Sequence, residues 1–336
     1  MKVEPFSLSL SEPLATAAGD IGSREGFLVT LQDDEVRGVG EATPLAGWTE
    51  SFEECERALR AVANGDRDRA ELDPTETPAA AHAVELAHAD LAARERAVPL
   101  AEWLAEGYRT SVPVNATIGD AEVEAAAEAA RNAVEDGFET VKVKVGVRSV
   151  EADLERVRAV REAVGDIDLR VDANGAWSRP EATRAIEGLT DLSVSYVEQP
   201  LAADDLTGHA ALRDRGVGIA LDESLPERGV DSILETDAAD GLVLKPMALG
   251  GVHRAREIAL RARDRGVDPV VTTTIDGAVA RTAALHLAAS LGIERACGLA
   301  TADRLAADLA VDPAPVKDGR MSLPDAPGIG VDIGIR

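Results

Sequence analysis

Lys142 and Lys144 stand in the run Val141-Lys142-Val143-Lys144-Val145, each flanked by valines. Alternation with a period of two puts both ammonium groups on one face of a strand and the valines on the other. The chain has only five lysines, and Lys142, Lys144 and Lys245 all lie in β-like runs. Ammonium groups pointing into an interior are costly unless carboxylates answer them. Three acids are placed to do so, each ending an apolar run: Asp172 in Val171-Asp172-Ala173-Asn174-Gly175, Glu198 in Val197-Glu198-Gln199-Pro200 and Asp222 in Leu221-Asp222-Glu223-Ser224. One acid after a strand is commonly a helix N-cap. Three in consecutive strands, bracketed by lysines, call for positive charge between them, and a hard cation with oxygen ligands such as Mg²⁺ meets that need. Beside a divalent cation and a second ammonium, a lysine's pKa falls toward neutrality, which makes it a candidate general base. The cation would bind a substrate carboxylate and stabilise the enediolate left when the α-proton departs. Proton abstraction next to a carboxylate is therefore the chemistry these residues suit.

Those side chains need a scaffold that gathers strand ends. From Val112 onward, β-like runs end near Thr117, Lys144, Asp172, Glu198, Asp222, Lys245, Thr272 and Gly298, with helical patterns between them such as Val150 to Val164 and Val252 to Arg265. Regular strand–helix alternation of this kind predicts a (β/α) barrel, whose functional residues collect at the C-terminal ends of its strands. An open doubly wound sheet would want a phosphate-binding glycine turn, and neither GxGxxG nor GxxxxGK occurs. Upstream, strands are expected over Phe6 to Leu10, Gly26 to Leu31 and Glu35 to Val39, and helices over Ser51 to Ala63 and Thr77 to Arg96. The expected fold is thus a (β/α)7β TIM-like barrel over residues 109–310 with an N-terminal α+β capping domain over 1–108. A Pro/Gly-rich segment over 311–336 is expected to pack back on the capping domain.

Composition narrows the function further. The 336 residues carry a net charge of −26, which leaves no basic patch for nucleic acid. Such acidity, with Arg in place of Lys, suits a protein kept soluble in molar salt, where screening shrinks self-repulsion. The two cysteines, Cys55 and Cys297, show no metal-binding spacing and read as buried small hydrophobes in a reducing compartment. No apolar signal region and no membrane-length apolar run occurs, so the expectation is a soluble, cytoplasmic protein with no membrane partner. The histidines His82 and His88 lie six residues apart and read as packing or surface residues.

Together, Lys-x-Lys at 142–144, Val-Asp-Ala-Asn-Gly at 171–175, Val-Glu-Gln-Pro at 197–200, Leu-Asp-Glu-Ser at 221–224 and Leu-Lys-Pro at 244–246 resemble the enolase superfamily, in its muconate-lactonizing-enzyme subgroup. The resemblance runs over nearly the whole chain. It implies that Asp172, Glu198 and Asp222 bind Mg²⁺ and that Lys144 and Lys245 are the acid/base pair, with Lys142 supporting Lys144 electrostatically. It also implies that Asn174 and Glu223 orient these groups. The branch with a His base after the seventh strand does not fit, because that strand ends in Thr272-Thr273-Thr274.

Within the subgroup, Val112 to Thr117 and Thr273 to Ala278 followed by Arg281 look most like the o-succinylbenzoate synthases of menaquinone biosynthesis. These dehydrate 2-succinyl-6-hydroxy-2,4-cyclohexadiene-1-carboxylate. Dipeptide epimerases usually carry Asp-x-Asp after the eighth strand, where this chain reads Cys297-Gly298-Leu299-Ala300-Thr301-Ala302-Asp303. Muconate cycloisomerase and a dipeptide or N-acylamino acid epimerase-racemase stay open as alternatives, all with a small-molecule carboxylate substrate, and the resemblance allows a homo-oligomer. A Schiff-base lysine, as in barrel aldolases, would leave the three carboxylates without a purpose. A non-catalytic binding module would be expected to have lost ligands or lysines, and all are intact here. Two irregular stretches, Ala15 to Arg24 and Pro44 to Thr49, are expected to close over the barrel mouth. Arg24 would meet a substrate carboxylate there and Trp48 a ring, with Thr273 and Gly298 as further substrate contacts at strand ends.

Overall fold

The structure is a computed structural model that describes residues 1–16 and 19–334. β1 (Lys2–Thr16), β2 (Gly19–Asp33) and β3 (Val36–Ala42) form an antiparallel sheet in that order. α1 (Phe52–Asn64) starts from a capping box in which Ser51 and Glu54 exchange hydrogen bonds, and α2 (Pro78–Glu95) and the short α3 (Leu100–Leu104) follow. α2 is almost wholly buried, and its alanines let it lie directly on β3. Gly38 and Gly40 of β3 complete that approach, since a Cβ on either would drive into the carbonyls of Ala87 and Ala83.

The first two strands are much longer than their periodicity predicts. Small and polar residues that look like a loop, Ala15 to Ser23, are largely strand: Leu14 pairs with Ile21, Ala15 with Asp20 and Thr16 with Gly19. Interstrand hydrogen bonds, not side-chain propensity, hold that part, and a register irregularity between Ser9 and Leu14 separates it from the regular hairpin. Residues 17 and 18 of the expected loop lie outside the described residues.

The remainder alternates as expected. β4 (Ser111–Pro113), β5 (Ala116–Ile118), α4 (Val123–Glu135), β6 (Thr140–Lys144), α5 (Val150–Val164), β7 (Asp168–Asp172), α6 (Arg179–Asp191) and β8 (Tyr196–Glu198) come first. α7 (Leu206–Leu212), β9 (Gly218–Leu221), α8 (Ser224–Thr236), β10 (Gly241–Leu244), α9 (Pro246–Leu249), α10 (Val252–Arg263), β11 (Asp268–Val271) and α11 (Ala278–Ser290) follow. Strands β5 to β11 form one parallel seven-stranded sheet in sequence order. Its two edges meet through residues 297–298: Cys297 bridges to Val114 and Gly298 to Thr272. The eighth strand expected near Gly298 is therefore reduced to a pair of bridges, enough to close the barrel without a run of its own. Gly298 is required there, because a Cβ would stand 2.5 Å from Thr272 Oγ1.

The expected first barrel strand, Val112 to Thr117, splits in two. β4 leaves the barrel to pair antiparallel with β12 (Arg320–Ser322), while β5 enters the parallel sheet. Beyond β12 the chain crosses to α2 and α3, where Ile329 N–H donates to Asp90 and Leu100 N–H to the Gly328 carbonyl. The main core, built around Val141, Val143, Leu169, Val171, Val197, Ile219 and Leu244, lies between the parallel strands and their helices. No helix among the described residues is long and apolar enough to cross a membrane.

Candidate active site

Parallel strands in sequence order bring their C-terminal ends to one mouth, so β6 through β10 deliver Lys142, Lys144, Asp172, Glu198, Asp222 and Lys245 side by side. The alternation read in β6 holds: Val141 and Val143 are fully buried, while both lysines turn to the carboxylates. Lys142 Nζ donates to Asp172 Oδ2 at 3.0 Å and to both Glu198 oxygens at 2.9 and 3.0 Å. Lys144 Nζ donates to Asp172 Oδ2 and to Asn174 Oδ1, each at 2.7 Å. Across the mouth, Lys245 Nζ donates to Asp222 Oδ2 at 2.6 Å. Asn174 passes the connection on, its amide donating to Glu223 Oε1 at 2.9 Å.

Burial and charge pull these groups in different directions. Burial works against the Lys142 ammonium, but Asp172 and Glu198 outweigh it and hold its pKa well above the ordinary lysine value. Burial likewise opposes ionisation of Asp172, and Lys142 and Lys144 together override it, so this carboxyl stays far below the usual range. Glu198 is raised to about 7 by burial and by the Asp172 charge, with Lys142 opposing. Asp222 is raised to about 6, again by burial, with Lys245 pulling it down and Glu223 pushing it up.

The backbone at the mouth is bent to order. Asn174 and Gln199 have positive φ, 44° and 41°. Asparagine tolerates that region, whereas glutamine there is strained and must be held. Gln199 is held on all sides: its Oε1 accepts from Asp222 N and Ser224 N, and its Nε2 donates to Leu201 O and Ser224 Oγ. It thereby ties the end of β8 to the end of β9. Lys144 is fixed from behind by α5, where the buried Arg156 donates to its carbonyl and Asp153 accepts from Gly146 N. The Glu-Gln pair was visible as a motif, but nothing local marks Arg156 or Asp153 as support for Lys144.

The four expected substrate contacts fall in different places. Trp48 reaches the site, its ring lying over Lys245 with Nζ 3.2 Å from the centroid. Thr273 stands at the mouth with its hydroxyl 3.2 Å from that of Thr301. Gly298 serves barrel closure. Arg24 departs from expectation: it is 2% exposed, and its guanidinium donates to the carbonyls of Thr43, Pro44 and Ile275. With its donors turned to backbone, it ties these segments together. A cleft of about 1390 Å³ opens beside the mouth, reaching the site at Trp48, Asn174, Gln199 and Glu223.

The donor set suits a hard cation. Asp222 Oδ1 is buried without a hydrogen-bond partner, and Glu223 Oε2 is too. As placed, the carboxylates are drawn onto the lysines, and among the described residues no three acid, imidazole or thiol groups share one ion position. The orphaned oxygen of Asp222 and the repulsion between Glu198 and Asp172 are what a divalent ion among Asp172, Glu198 and Asp222 would relieve.

Comparison with known proteins places this arrangement. Residues 124–334 match the family described as Enolase C-terminal domain-like, and residues 2–91 match MenC, N-terminal domain. The o-succinylbenzoate synthase of Thermobifida fusca is 41% identical over 61% of this chain and 64% of its own length. The hydrophobic dipeptide epimerase of Enterococcus faecalis is 31% identical over 98% of both chains. The structure of dipeptide epimerase from Enterococcus faecalis, complexed with Mg and the dipeptide L-Leu-L-Tyr, superposes with a TM-score of 0.87 at 28% identity, covering 98% of each chain. A curled parallel sheet with lysines on either side of three strand-end carboxylates, joined to an N-terminal antiparallel sheet, agrees with both matches: the chain is an enzyme of the enolase superfamily.

Proposed function

We propose that this enzyme dehydrates 2-succinyl-6-hydroxy-2,4-cyclohexadiene-1-carboxylate to o-succinylbenzoate, in menaquinone biosynthesis, with Mg²⁺ held by Asp172, Glu198 and Asp222. The observation that carries the proposal is the sheet order. Lys144 on β6 and Lys245 after β10 flank the three carboxylates of β7, β8 and β9, so a substrate carboxylate seated there has an amine on each side. The match of residues 2–91 to MenC and the 41% identity to a synthase support the choice of substrate.

In this mechanism Lys144, as the neutral amine, takes the proton α to the carboxylate, and the C–H electron pair moves into the carboxylate. Lys245 stays protonated and faces the negative charge that develops. Bound Mg²⁺ supplies further positive charge beside the substrate carboxylate. The electron pair then returns to the ring as the C–O bond breaks, and the Lys144 ammonium protonates the leaving hydroxyl, so one water is lost and the ring becomes aromatic. Lys142 remains the charged partner of Asp172 and Glu198, next to Lys144 on the same face of β6. Asn174, between Lys144 and Glu223, fixes the direction of the base.

The epimerase relatives favour a second use of the same lysines, exchange of a proton between two faces of an α-carbon. Against it stands the 297–303 segment, which has one acid, Asp303, in place of an Asp-x-Asp pair. Nearby Asp276 is closed by Thr274 and Asp308 by Arg281, which leaves them poorly suited to a substrate ammonium. The deciding experiment is the ultraviolet change when the enzyme, in high KCl with Mg²⁺, meets the cyclohexadiene substrate. Rapid conversion that EDTA stops and Lys144→Ala abolishes is expected. No conversion by folded, Mg²⁺-supplied enzyme, with deuterium from D₂O entering dipeptides or N-acylamino acids instead, would overturn the assignment in favour of the epimerase or racemase.

A further inference from the structure

Two barrel helices begin without a cap of their own. The N-caps of α10 and α11 are Gly251 and Gly277, and neither helix has a side-chain hydrogen bond from its own N-cap. The first N–H groups of a helix need acceptors. Here they come in part from glutamates of the N-terminal layer, with Asp308 also accepting from Ala278 N of α11 at 2.8 Å. Glu85 of α2 accepts from Val252 N at 2.7 Å and His253 N at 3.4 Å. Glu41 of β3 accepts from Gly277 N at 2.7 Å and Ala280 N at 2.9 Å. A Cβ at Gly251 would drive into the Glu85 carboxylate, and one at Gly277 would stand 2.8 Å from Leu309 Cδ1 and 3.0 and 3.1 Å from the Glu41 oxygens.

The two staples are chemically alike, but their surroundings differ. Gly277 closes the segment that starts at Thr273 on the barrel mouth, and within it Ile275 has φ of 61°. A β-branched residue there is a true outlier that its surroundings must enforce. The carbonyl of Ile275 accepts from Arg24, which also binds the carbonyls of Thr43 and Pro44. The Thr43 hydroxyl donates to Glu41 at 2.5 Å, while its N–H faces Met247 Sδ at 3.5 Å, two residues beyond Lys245. Residues 41–44 thus touch both sides of the mouth, then lead directly to Trp48 over Lys245.

We propose that Glu41 is a positioning residue for the substrate pocket: by capping α11 across the interface it fixes the Thr273–Gly277 segment against the Lys245–Trp48 side, while Glu85 is a staple without that role. The catalytic half of the proposal rests on the dehydratase assignment above; the structural half does not. Replacing Glu41 by Gln turns an amide donor toward three donors, so one contact at least is lost.

The test compares Glu41→Gln with Glu85→Gln in the full chain, by hydrogen–deuterium exchange and by steady-state kinetics on the cyclohexadiene substrate. Glu41→Gln is expected to speed exchange of residues 272–281 and 43–49 by about tenfold. Its kcat/KM should fall by about tenfold or more, chiefly through KM. Glu85→Gln should speed exchange only around residues 250–256 and keep kcat/KM within about twofold. Equal kinetic effects of the two variants, or unchanged exchange at 272–281 in Glu41→Gln, would overturn the proposal. If the unmodified enzyme does not turn over this substrate, the dehydratase assignment has failed, and the exchange comparison still decides whether Glu41 holds the segment. Should Glu41→Gln not fold, Glu41→Asp keeps the charge but draws the oxygens back by one methylene, and the same ordering is expected.

Discussion

His286 offers a test of the packing in which a single proton is read out. It lies on α11 with no exposure, where Nδ1 accepts from Ala101 N at 3.1 Å and Nε2 faces the Ile329 carbonyl at 3.1 Å. A backbone N–H can only donate and a carbonyl only accept, so the ring is neutral with its proton on Nε2. Burial lowers its pKa to about 4, with the Ile329 carbonyl pulling the other way. The folded value lies below the unfolded one, so the unfolded chain binds more protons between them. The contribution of His286 is therefore complete above about pH 6.5 and lost as pH falls toward 4. The gap of about 2.5 pH units is worth about 3 kcal/mol in full, of which about 2 kcal/mol is gone by pH 5.

Glu41 runs in the opposite sense, since burial and Asp276 raise it to about 7 and its stabilising effect is lost as pH rises through that value. Unmodified protein alone would mix the two, so the measurement is the difference between it and His286→Gln. Urea midpoints are taken at pH 7.5, 6 and 5 in constant KCl. Glutamine offers one acceptor and one donor but no proton that titrates here, and misfit of its amide to the Ala101 N–H costs up to about 1–3 kcal/mol at pH 7.5. The difference should shrink by about 2 kcal/mol on going to pH 5. Parallel pH dependences for the two proteins would refute a neutral, buried His286.

Three further outcomes are expected. Lys142→Met leaves Asp172 and Glu198 without their shared ammonium, at a cost of about 3–5 kcal/mol, and Mg²⁺ should raise the Tm of this variant more than that of the unmodified enzyme. An equal Mg²⁺ shift in both would count against a cation among these carboxylates. Leu169→Ala removes a fully buried side chain of β7 and should lower stability by about 2–5 kcal/mol in urea titrations, without new salt dependence. Dilution from molar KCl to about 0.1 M should lower Tm steadily, because a net charge of −26 repels itself over a longer screening length. A Tm indifferent to KCl would remove the case for adaptation to salt.

Much of the site could be read before any fold was known. The period of two in β6 sets the direction of Lys142 and Lys144 within five residues, and apolar runs at regular intervals fix which acids end strands. Parallel order then brings Asp172, Glu198, Asp222 and Lys245 together, because each strand repeats the same local geometry. Local pattern failed where hydrogen bonding across strands overrode propensity, as in Ala15 to Ser23, and where two bridges at Cys297 and Gly298 replaced a strand. It also could not say what Arg24 or Glu41 faces. Arg24 sits in a strand as a solvent-facing arginine would, yet its partner Ile275 is 251 residues away. Glu41 reaches Gly277 across 236 residues, and Arg156 reaches the carbonyl of the proposed base from a neighbouring helix. A strand-end acid is placed by its own strand, but a buried ion or a cap supplied across an interface is placed by whatever packs against it, and only the tertiary structure decides that.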